Sequence, residues 1–148
     1  MRVAMGFDHA GFILRPVVVR VLERLGAEIL DLGTNGPEPV DYTDYAFGVA
    51  DAVSEGRAEL GIACCGTGLG SQIAANKVRG VRAIAVSDTY SAKMSRLHND
   101  ANVLCLGGRV VGLGTAEEIL EAWLSTPFSG EQRHCRRIAS AMSREAAE

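Results

Sequence analysis

Residues 59–71 read ELGIACCGTGLGS, an apolar run that passes into a turn with glycine at three alternate positions and then into a helical pattern. A short apolar run that ends in glycines predicts a buried strand, here Glu59 to Cys65. Because a helix follows at about Ser71, the segment predicts part of a strand–helix–strand unit, in which the strands are parallel. The same alternation of short apolar runs and amphipathic stretches extends along the chain in both directions.

The other apolar runs predict four more strands, and the stretches around them predict six helices. We expect the strands at Arg2 to Phe7, Ala27 to Leu32, Val81 to Val86 and Asn102 to Leu106. We expect the helices at Phe12 to Leu25, Tyr45 to Glu55, Ser71 to Val78, Thr89 to His98, Thr115 to Leu124 and Glu131 to about Ala147. No repeat, low-complexity tract or linker interrupts the pattern, which predicts a single doubly wound α/β domain over residues 1–148.

Length and composition are those of an ordinary globular domain. The chain has 148 residues and a formal net charge of -3, so it has no general attraction to nucleic acid or to anionic membranes. A bound anion would have to be held by a local group of arginines. No apolar run approaches the roughly 20 residues that a membrane span needs, and the N-terminus lacks the core of a signal peptide. We therefore expect a cytoplasmic protein.

The four cysteines do not suggest a metal site. Cys64, Cys65, Cys105 and Cys135 include no C-x-x-C pair, and two adjacent cysteines are a poor start for zinc coordination. A cytosolic chain keeps its cysteines as thiols. Because Cys64 and Cys105 close apolar runs, we expect both to be buried and inert.

The turn from Cys65 to Ser71 is the first candidate for chemistry. Its alternate glycines allow successive backbone N–H groups to converge on one anionic atom, and the start of the following helix adds to this effect. A thiol at the rim of such a turn is stabilised as the thiolate. A tight turn beside a buried, inert cysteine explains this spacing equally well. The spacing matches neither a dinucleotide-binding turn nor a P-loop, and no arginine stands where a cysteine phosphatase needs one.

Polar residues also follow other strands, and parallel sheets bind ligands at the carboxyl ends of their strands. Asp8 and His9 follow the first strand, Arg109 follows the fifth, and His98 lies in a polar loop just before the fifth. We therefore expect His9 and His98 to lie at the ligand crevice and to have a function. We interpret the third histidine, His134, as structural or solvated. A metal site of histidines and aspartates is disfavoured, because no H-x-x-x-H spacing supports it.

Arginines are concentrated near the C-terminus of the chain. Positions 133 and 137 share one face of a helix, so the guanidinium groups of Arg133 and Arg137 are placed to bind one phosphate together. Arg136 lies between them in the sequence. A solvated helix surface explains the same segment equally well. Arg109, after a glycine pair, is a further candidate for anion binding.

Taken together, several motifs resemble those of the ribose-5-phosphate isomerase B family and its sugar-phosphate relatives. They occur in family order over nearly the whole chain, and it is their combination that is specific. The matching segments are GFDHAGF (6–12), DYTDYA (41–46), CGTGLG (65–70), IAANK (73–77), YSAKM (90–94), LHNDANVL (97–104), GGRVVG (107–112) and RHCRR (133–137).

The resemblance implies a three-layer, Rossmann-like α/β/α sandwich around a five-stranded parallel sheet. It also implies a homodimer, often paired into a tetramer, whose active sites are shared between subunits. The C-terminal helix of about residues 131–147 is then expected to pack on the partner subunit or to reach into it. The implied ligand is a small sugar phosphate, and neither a metal, a cofactor, a nucleic acid nor a membrane is required.

The resemblance further implies an aldose–ketose isomerase that interconverts ribose 5-phosphate and ribulose 5-phosphate through an enediolate. Cys65 is the implied base, with Thr67 beside it, while Asp8 and His98 serve the opening of the sugar ring. The implied substrate-binding residues are His9, Gly66, Gly68, Leu69, Gly70, Asn99, Arg109, Arg133 and Arg137.

The chain departs from the family pattern at a few positions. A second branch of the family carries a glutamate base where Ser71 stands, so the retained Cys65 indicates the cysteine branch. Thr43 replaces a common proline, which affects the shape of a loop. Cys135 replaces a usual glutamine beside the arginines.

Three alternatives remain open. The same chemistry on allose 6-phosphate, galactose 6-phosphate or a tetrose phosphate is a close rival of the favoured substrate. One sequence does not give the distance between the base and the phosphate-binding residues, which sets the length of the sugar. A non-catalytic phosphosugar-binding subunit is disfavoured by the retained Cys65, Thr67, Asp8 and His98. A flavin- or nucleotide-binding module predicts a chromophore that remains bound during purification.

Overall fold

In the computed structural model, which describes residues 1–146, five parallel strands form one sheet. The central strand pairs with both neighbours, through Val3 opposite Leu60 and Gly61 opposite Val103. Each strand coincides with a predicted apolar run, although the fourth is shorter than predicted. The strands are β1 (Arg2–Phe7), β2 (Glu28–Asp31), β3 (Leu60–Cys65), β4 (Ala83–Ala85) and β5 (Val103–Gly107), in the order β2-β1-β3-β5-β4.

Six α-helices are found within residues 1–146. They are α1 (Arg15–Arg24), α2 (Tyr42–Ser54), α3 (Leu69–Ala75), α4 (Thr89–Asn99), α5 (Leu113–Ser125) and α6 (Gln132–Met142). Short 3-10 turns precede α1 at Phe12–Leu14 and follow α6 at Ser143–Ala146. All six correspond to predicted helices, and the predicted end of the last one at Ala147 lies outside the described residues. Not one of the described helices is long and apolar enough to cross a membrane.

Helices cover both faces of the sheet and so produce three layers. One face packs against α1, α4 and α5 in a core that contains Phe7, Leu104 and Trp123. The other packs against α2 and α3 in a core of smaller side chains that includes Val49 and Ala75. Because both faces of the central strands are buried, their sequences are continuous apolar runs and do not alternate. The predicted α/β class, with a five-stranded parallel sheet flanked by helices, is confirmed.

The strand order places a ligand crevice between β1 and β3. From β1 the chain moves outward to β2 on one side, and from β3 it moves to the strands on the other side. Connections that leave neighbouring strands in opposite directions open a crevice at the carboxyl ends of those strands. Phe7 at the end of β1 is opposite Cys64 in β3, so the segments that follow these two residues meet there.

Candidate active site

Cys65 is the last residue of β3 and lies at this crevice. Its side chain is nearly buried, at 4% exposure, and the backbone N–H of Gly68 donates a hydrogen bond to its sulfur, 3.1 Å away. The sulfur therefore lies within hydrogen-bond distance of a backbone amide of the glycine turn. Cys65 and one amide of the glycine turn, that of Gly68, are thus in contact within one chain.

Two glycines allow the turn after Cys65 to close. Gly68 has φ +80°, in the left-handed region that favours glycine. Gly107, at the end of β5, faces the turn so closely that a Cβ atom there would lie 2.7 Å from the backbone of Thr67. Because the end of β5 is in contact with the turn, the positions of the turn amides depend on the packing of the sheet.

Arg109 also lies against this turn. Its backbone N–H donates to the carbonyl of Gly66 at 3.0 Å, and a Cβ atom on Gly66 would lie 3.4 Å from the Nη1 atom of Arg109. The arginine side chain is exposed, so its guanidinium group is accessible to an anion bound at the turn. This placement agrees with the position expected for Arg109.

Substitution of Gly107 by alanine tests the contact between β5 and the turn. We expect Gly107→Ala to lose about 1–3 kcal/mol of stability, because the added methyl group meets backbone atoms that are unable to move aside without disturbing the turn. Gly114→Ala in α5 is the matched control, since a Cβ atom there meets nothing within 4 Å. Urea unfolding midpoints measure both effects, and equal midpoints for the two variants would contradict the contact.

Asp8 follows β1 and is held against the end of β3. The Asp8 side chain is 6% exposed, and its Oδ1 atom accepts hydrogen bonds from the backbone N–H groups of Ala10 (2.9 Å) and Gly11 (2.8 Å). The Asp8 backbone N–H donates to the carbonyl of Cys64 at 3.0 Å. These bonds fix the carboxylate at the junction of β1 and β3, as predicted.

His9 is positioned by the loop between β2 and α2. The backbone N–H of Val40 donates to the Nδ1 atom of His9 at 3.2 Å. Because Nδ1 accepts this bond, the proton of the neutral ring is on Nε2. His9 can therefore donate a hydrogen bond from Nε2 to an anion at the carboxyl edge of the sheet.

The rest of the predicted site lies at the opposite, amino edge of the sheet: His98, Asn99, Arg133 and Arg137. The helix α4 begins at Thr89, after the carboxyl end of β4, and runs back along the sheet. At its end, the Nε atom of Arg82, which precedes β4, donates to the carbonyl of Asn99 at 3.2 Å. A strand rises about 3.3 Å per residue, so the two edges of the sheet are about 17 Å apart.

The expectation that His98 lies at the crevice of its own chain is therefore wrong. The reason is the polarity of a strand–helix–strand unit. A helix that follows one parallel strand must return the chain to the amino edge before the next strand begins, so residues just before β5 lie at that edge. Cys65 and His98 of the same chain are consequently too far apart to contact the same sugar molecule.

The amino-edge residues nevertheless form a group of their own, because α6 lies beside the end of α4. The backbone N–H of Ser129, before α6, donates to the carbonyl of Leu97 at 3.1 Å. A cavity of about 410 Å³ lies between α6 and the segment around β4, and Asn99 and Arg137 are among its lining residues. Arg133 is exposed, and its Nε atom donates to Glu131 at 2.8 Å.

His134 belongs to the same group, which the sequence interpretation missed. The side chain is 5% exposed, and its ring stacks on the ring of His98 with centroids 4.4 Å apart and planes 15° apart. The position of His134 between two arginines of predicted function was the only signal available in the sequence. The pattern of α6 did not reveal that this face of the helix is covered by α4.

The environment of His134 predicts a pH dependence of stability. Burial lowers the pKa of His134, and the neighbouring His98, Arg133 and Arg137 lower it further against the opposing effect of Glu131. The unfolded chain then binds the proton more readily than the folded chain, so stability is lost as the pH falls below the unfolded value of about 6.5. We expect the urea midpoint to fall less in His134→Phe than in the parent chain between pH 7.5 and 5.5. Equal decreases would contradict this environment.

The other thiols differ from Cys65 in their surroundings. Burial raises the pKa of Cys64 and of Cys105 well above the ordinary value, so both remain protonated at neutral pH. The prediction that Cys64 and Cys105 are buried is confirmed. Cys135 is exposed on α6. Within residues 1–146, no three side chains of the histidine, cysteine, aspartate or glutamate type come together as possible metal ligands.

Comparison with known proteins gives the family. Residues 3–141 match the ribose/galactose isomerase family. The chain is 49% identical over 137 residues to ribose-5-phosphate isomerase B of Escherichia coli strain K12, covering 93% of this chain and 91% of that protein. It is 40% identical over 132 residues to D-erythrulose-4-phosphate isomerase of Pectobacterium atrosepticum, covering 88% and 86%. The structure of ribose-5-phosphate isomerase B from Mycoplasma genitalium with bound ribulose-5-phosphate has a TM-score of 0.93 and 38% identity, covering 99% of this chain and 97% of that one.

The fold, the thiol at the glycine turn and these matches together define the class of the protein as a sugar-phosphate isomerase. The chain belongs to the ribose/galactose isomerase family.

Proposed function

We propose that the protein interconverts ribose 5-phosphate and ribulose 5-phosphate with Cys65 as the base. The observation that carries this proposal is the hydrogen bond from the Gly68 N–H to the Cys65 sulfur, in the turn that follows β3. In the open-chain aldose, the thiolate removes the proton on C2, which is acidified by the neighbouring aldehyde. Return of a proton to C1 of the resulting enediolate gives the ketose.

The same turn is suited to hold the oxygen that becomes negative during this step. A positioned base contributes about 10²–10⁴ in rate. Each donor aimed at the developing oxyanion contributes about 10²–10³ more. We assign this second role to the backbone amides from Gly66 to Gly70, with the Thr67 hydroxyl beside them. The proposed chemistry needs no change in the oxidation state of the protein.

The cysteine branch is supported by the surroundings of position 71. Ser71 stands where the other branch of the family carries its glutamate base, and its side chain is 2% exposed at the start of α3. A buried hydroxyl does not replace a carboxylate as a base. Cys65 is therefore the proposed proton acceptor in this chain.

Binding and ring opening require residues from both edges of the sheet. We assign Asp8 and His98 to ring opening, and the phosphate to His9, Arg109, Arg133 and Arg137, with Asn99 also contacting the substrate. Phosphate binding away from the reacting carbons fixes the orientation of the substrate.

We infer that two copies of the chain assemble so that the amino-edge residues of one complete the crevice of the other. The distance of about 17 Å between the two edges supports this arrangement, because it separates Cys65 from His98 within one chain. Exposed apolar side chains near the crevice give further support. Leu69, Ile73 and Val110 are 59%, 63% and 55% exposed, which is typical of a surface covered by a partner.

A panel of sugar phosphates tests the choice of substrate. We expect the highest kcat/KM with ribose 5-phosphate, compared with allose 6-phosphate, galactose 6-phosphate and D-erythrulose 4-phosphate. The tetrose phosphate is the serious alternative, since a relative with 40% identity is a D-erythrulose-4-phosphate isomerase. A higher kcat/KM with that substrate would replace the proposed one and leave the chemistry at Cys65 unchanged.

A further inference from the structure

The stacked pair of His98 and His134 has a feature that the proposed chemistry does not use. The Nε2 atom of His134 is buried and has no hydrogen-bond partner within residues 1–146. Buried polar atoms in native folds normally have hydrogen-bond partners, so this nitrogen does not explain the position of the ring. The ring instead lies flat against His98, with the two centroids 4.4 Å apart.

The contact restricts His98 on one face. His98 is in the last turn of α4, where a side chain otherwise has considerable rotational freedom, and the His134 ring lies nearly parallel to it at 15°. His134 is itself held on α6 by burial. The orientation of the His98 imidazole is therefore set by a residue of another helix.

The charge state of His134 is compatible with this task. The charged groups near its ring are His98 from α4, Arg133 and Arg137 from α6, and Glu131 just before α6. Burial and the three basic neighbours keep the His134 ring neutral near pH 7. A neutral ring does not repel a proton on His98, whereas a second cation stacked on it would.

We propose that His134 is a positioning residue for His98, and that it acts in the opening of the cyclic sugar phosphate and not in the later proton transfer between C2 and C1. This inference rests on the proposed function, in which His98 serves ring opening in the crevice of the partner subunit. In that step the bond between C1 and the ring oxygen breaks. The ring oxygen takes a proton from His98, the C1 hydroxyl gives its proton to the Asp8 carboxylate, and the free aldehyde is left without any net oxidation.

Ribulose 5-phosphate separates the two steps experimentally. Its C5 oxygen is esterified, so it forms no furanose ring and reaches the enediolate without ring opening. Exchange of its C1 hydrogen with deuterium oxide therefore reports only the proton transfer at Cys65. Net turnover of ribose 5-phosphate reports ring opening as well.

The test compares His134→Ala, His134→Phe and the control Cys135→Ala, an exposed neighbour on α6, in the full-length assembled protein. We expect His134→Ala to lose at least about tenfold in kcat with ribose 5-phosphate. Deuterium exchange into ribulose 5-phosphate should stay within about twofold of the parent, since that step does not use His98. His134→Phe keeps a flat ring and should recover most of the lost turnover, and Cys135→Ala should behave as the parent chain.

Other outcomes would overturn the inference. If turnover and deuterium exchange fall together in His134→Ala, the residue has a general structural role. If turnover is unchanged, His134 has no role in positioning His98. A His134→Phe variant as slow as His134→Ala would show that a ring nitrogen, and not the stacked ring, is required. Failure of the proposed function itself is distinguishable, because the parent protein would then not exchange ribulose 5-phosphate at all.

Discussion

Cys65→Ala is expected to lower kcat at least about a hundredfold, while the dissociation constant for ribulose 5-phosphate changes little. The variant lacks the group that accepts the C2 proton, but it keeps the turn amides, Arg109 and the phosphate-binding residues. Turnover is measured by direct assay of ketose formation, and binding by calorimetry. A loss in kcat without a loss of binding locates the defect in the chemical step.

The neighbouring thiol provides a matched control for this experiment. Cys64 precedes Cys65 in β3, is also buried, and points into the core on the other side of the sheet. Cys64→Ala should retain most of the turnover, with only the modest loss of stability that follows removal of a small buried group. Comparable turnover in Cys65→Ala and the parent chain would remove the cysteine from the mechanism.

An equal mixture of two inactive variants that exchange subunits is expected to regain about one quarter of the parental activity per chain. Cys65→Ala removes a carboxyl-edge residue, and His98→Asn removes an amino-edge residue. If each crevice takes its His98 from the partner, a mixed dimer has one site with both defects and one site with neither. Random assembly of equal amounts makes half of the dimers mixed, and each of these has half of its sites intact.

This complementation is measured after the two variants are unfolded together and refolded, or after they are produced in the same cells. The two variants refolded separately and then combined on ice serve as the control without subunit exchange. A mixture no more active than the sum of the separate variants would show that Cys65 and His98 act within one chain, against the inferred arrangement.

Most of the fold was predictable because the central strands are buried on both faces. Such strands are read from the sequence as continuous apolar runs, and glycine turns mark their ends. The ends of the helices were less predictable. The helix α2 begins at Tyr42, three residues before the predicted start, because its polar first turn lacks the apolar spacing used to find it. The helix α3 ends at Ala75 rather than at Val78, where the chain turns toward β4.

The carboxyl-edge half of the site was predictable for a related reason. Asp8 and Arg109 come just after strands and Cys65 ends one, and in a parallel sheet the ends of these strands meet. The position of His98 was predicted wrongly because the residue lies close to β5 in the sequence. The direction of α4, which returns the chain to the amino edge before β5 begins, was not taken into account. The stack between His98 and His134 depends on the packing of two helices that are far apart in the sequence, and no local pattern indicates it.

The central claim is that Cys65 moves the hydrogen between C2 and C1 as a proton. It is tested most directly by following deuterium from C2-deuterated ribose 5-phosphate in ordinary water, with the parent chain and with Cys65→Ala. We predict that the parent chain transfers deuterium in part to C1 of the ketose and loses the rest to water, and that Cys65→Ala does neither at a comparable rate. Complete retention of deuterium at C1 of the ketose by the parent chain would contradict the claim. So would a Cys65→Ala variant that removes deuterium from C2 of the sugar at the parental rate.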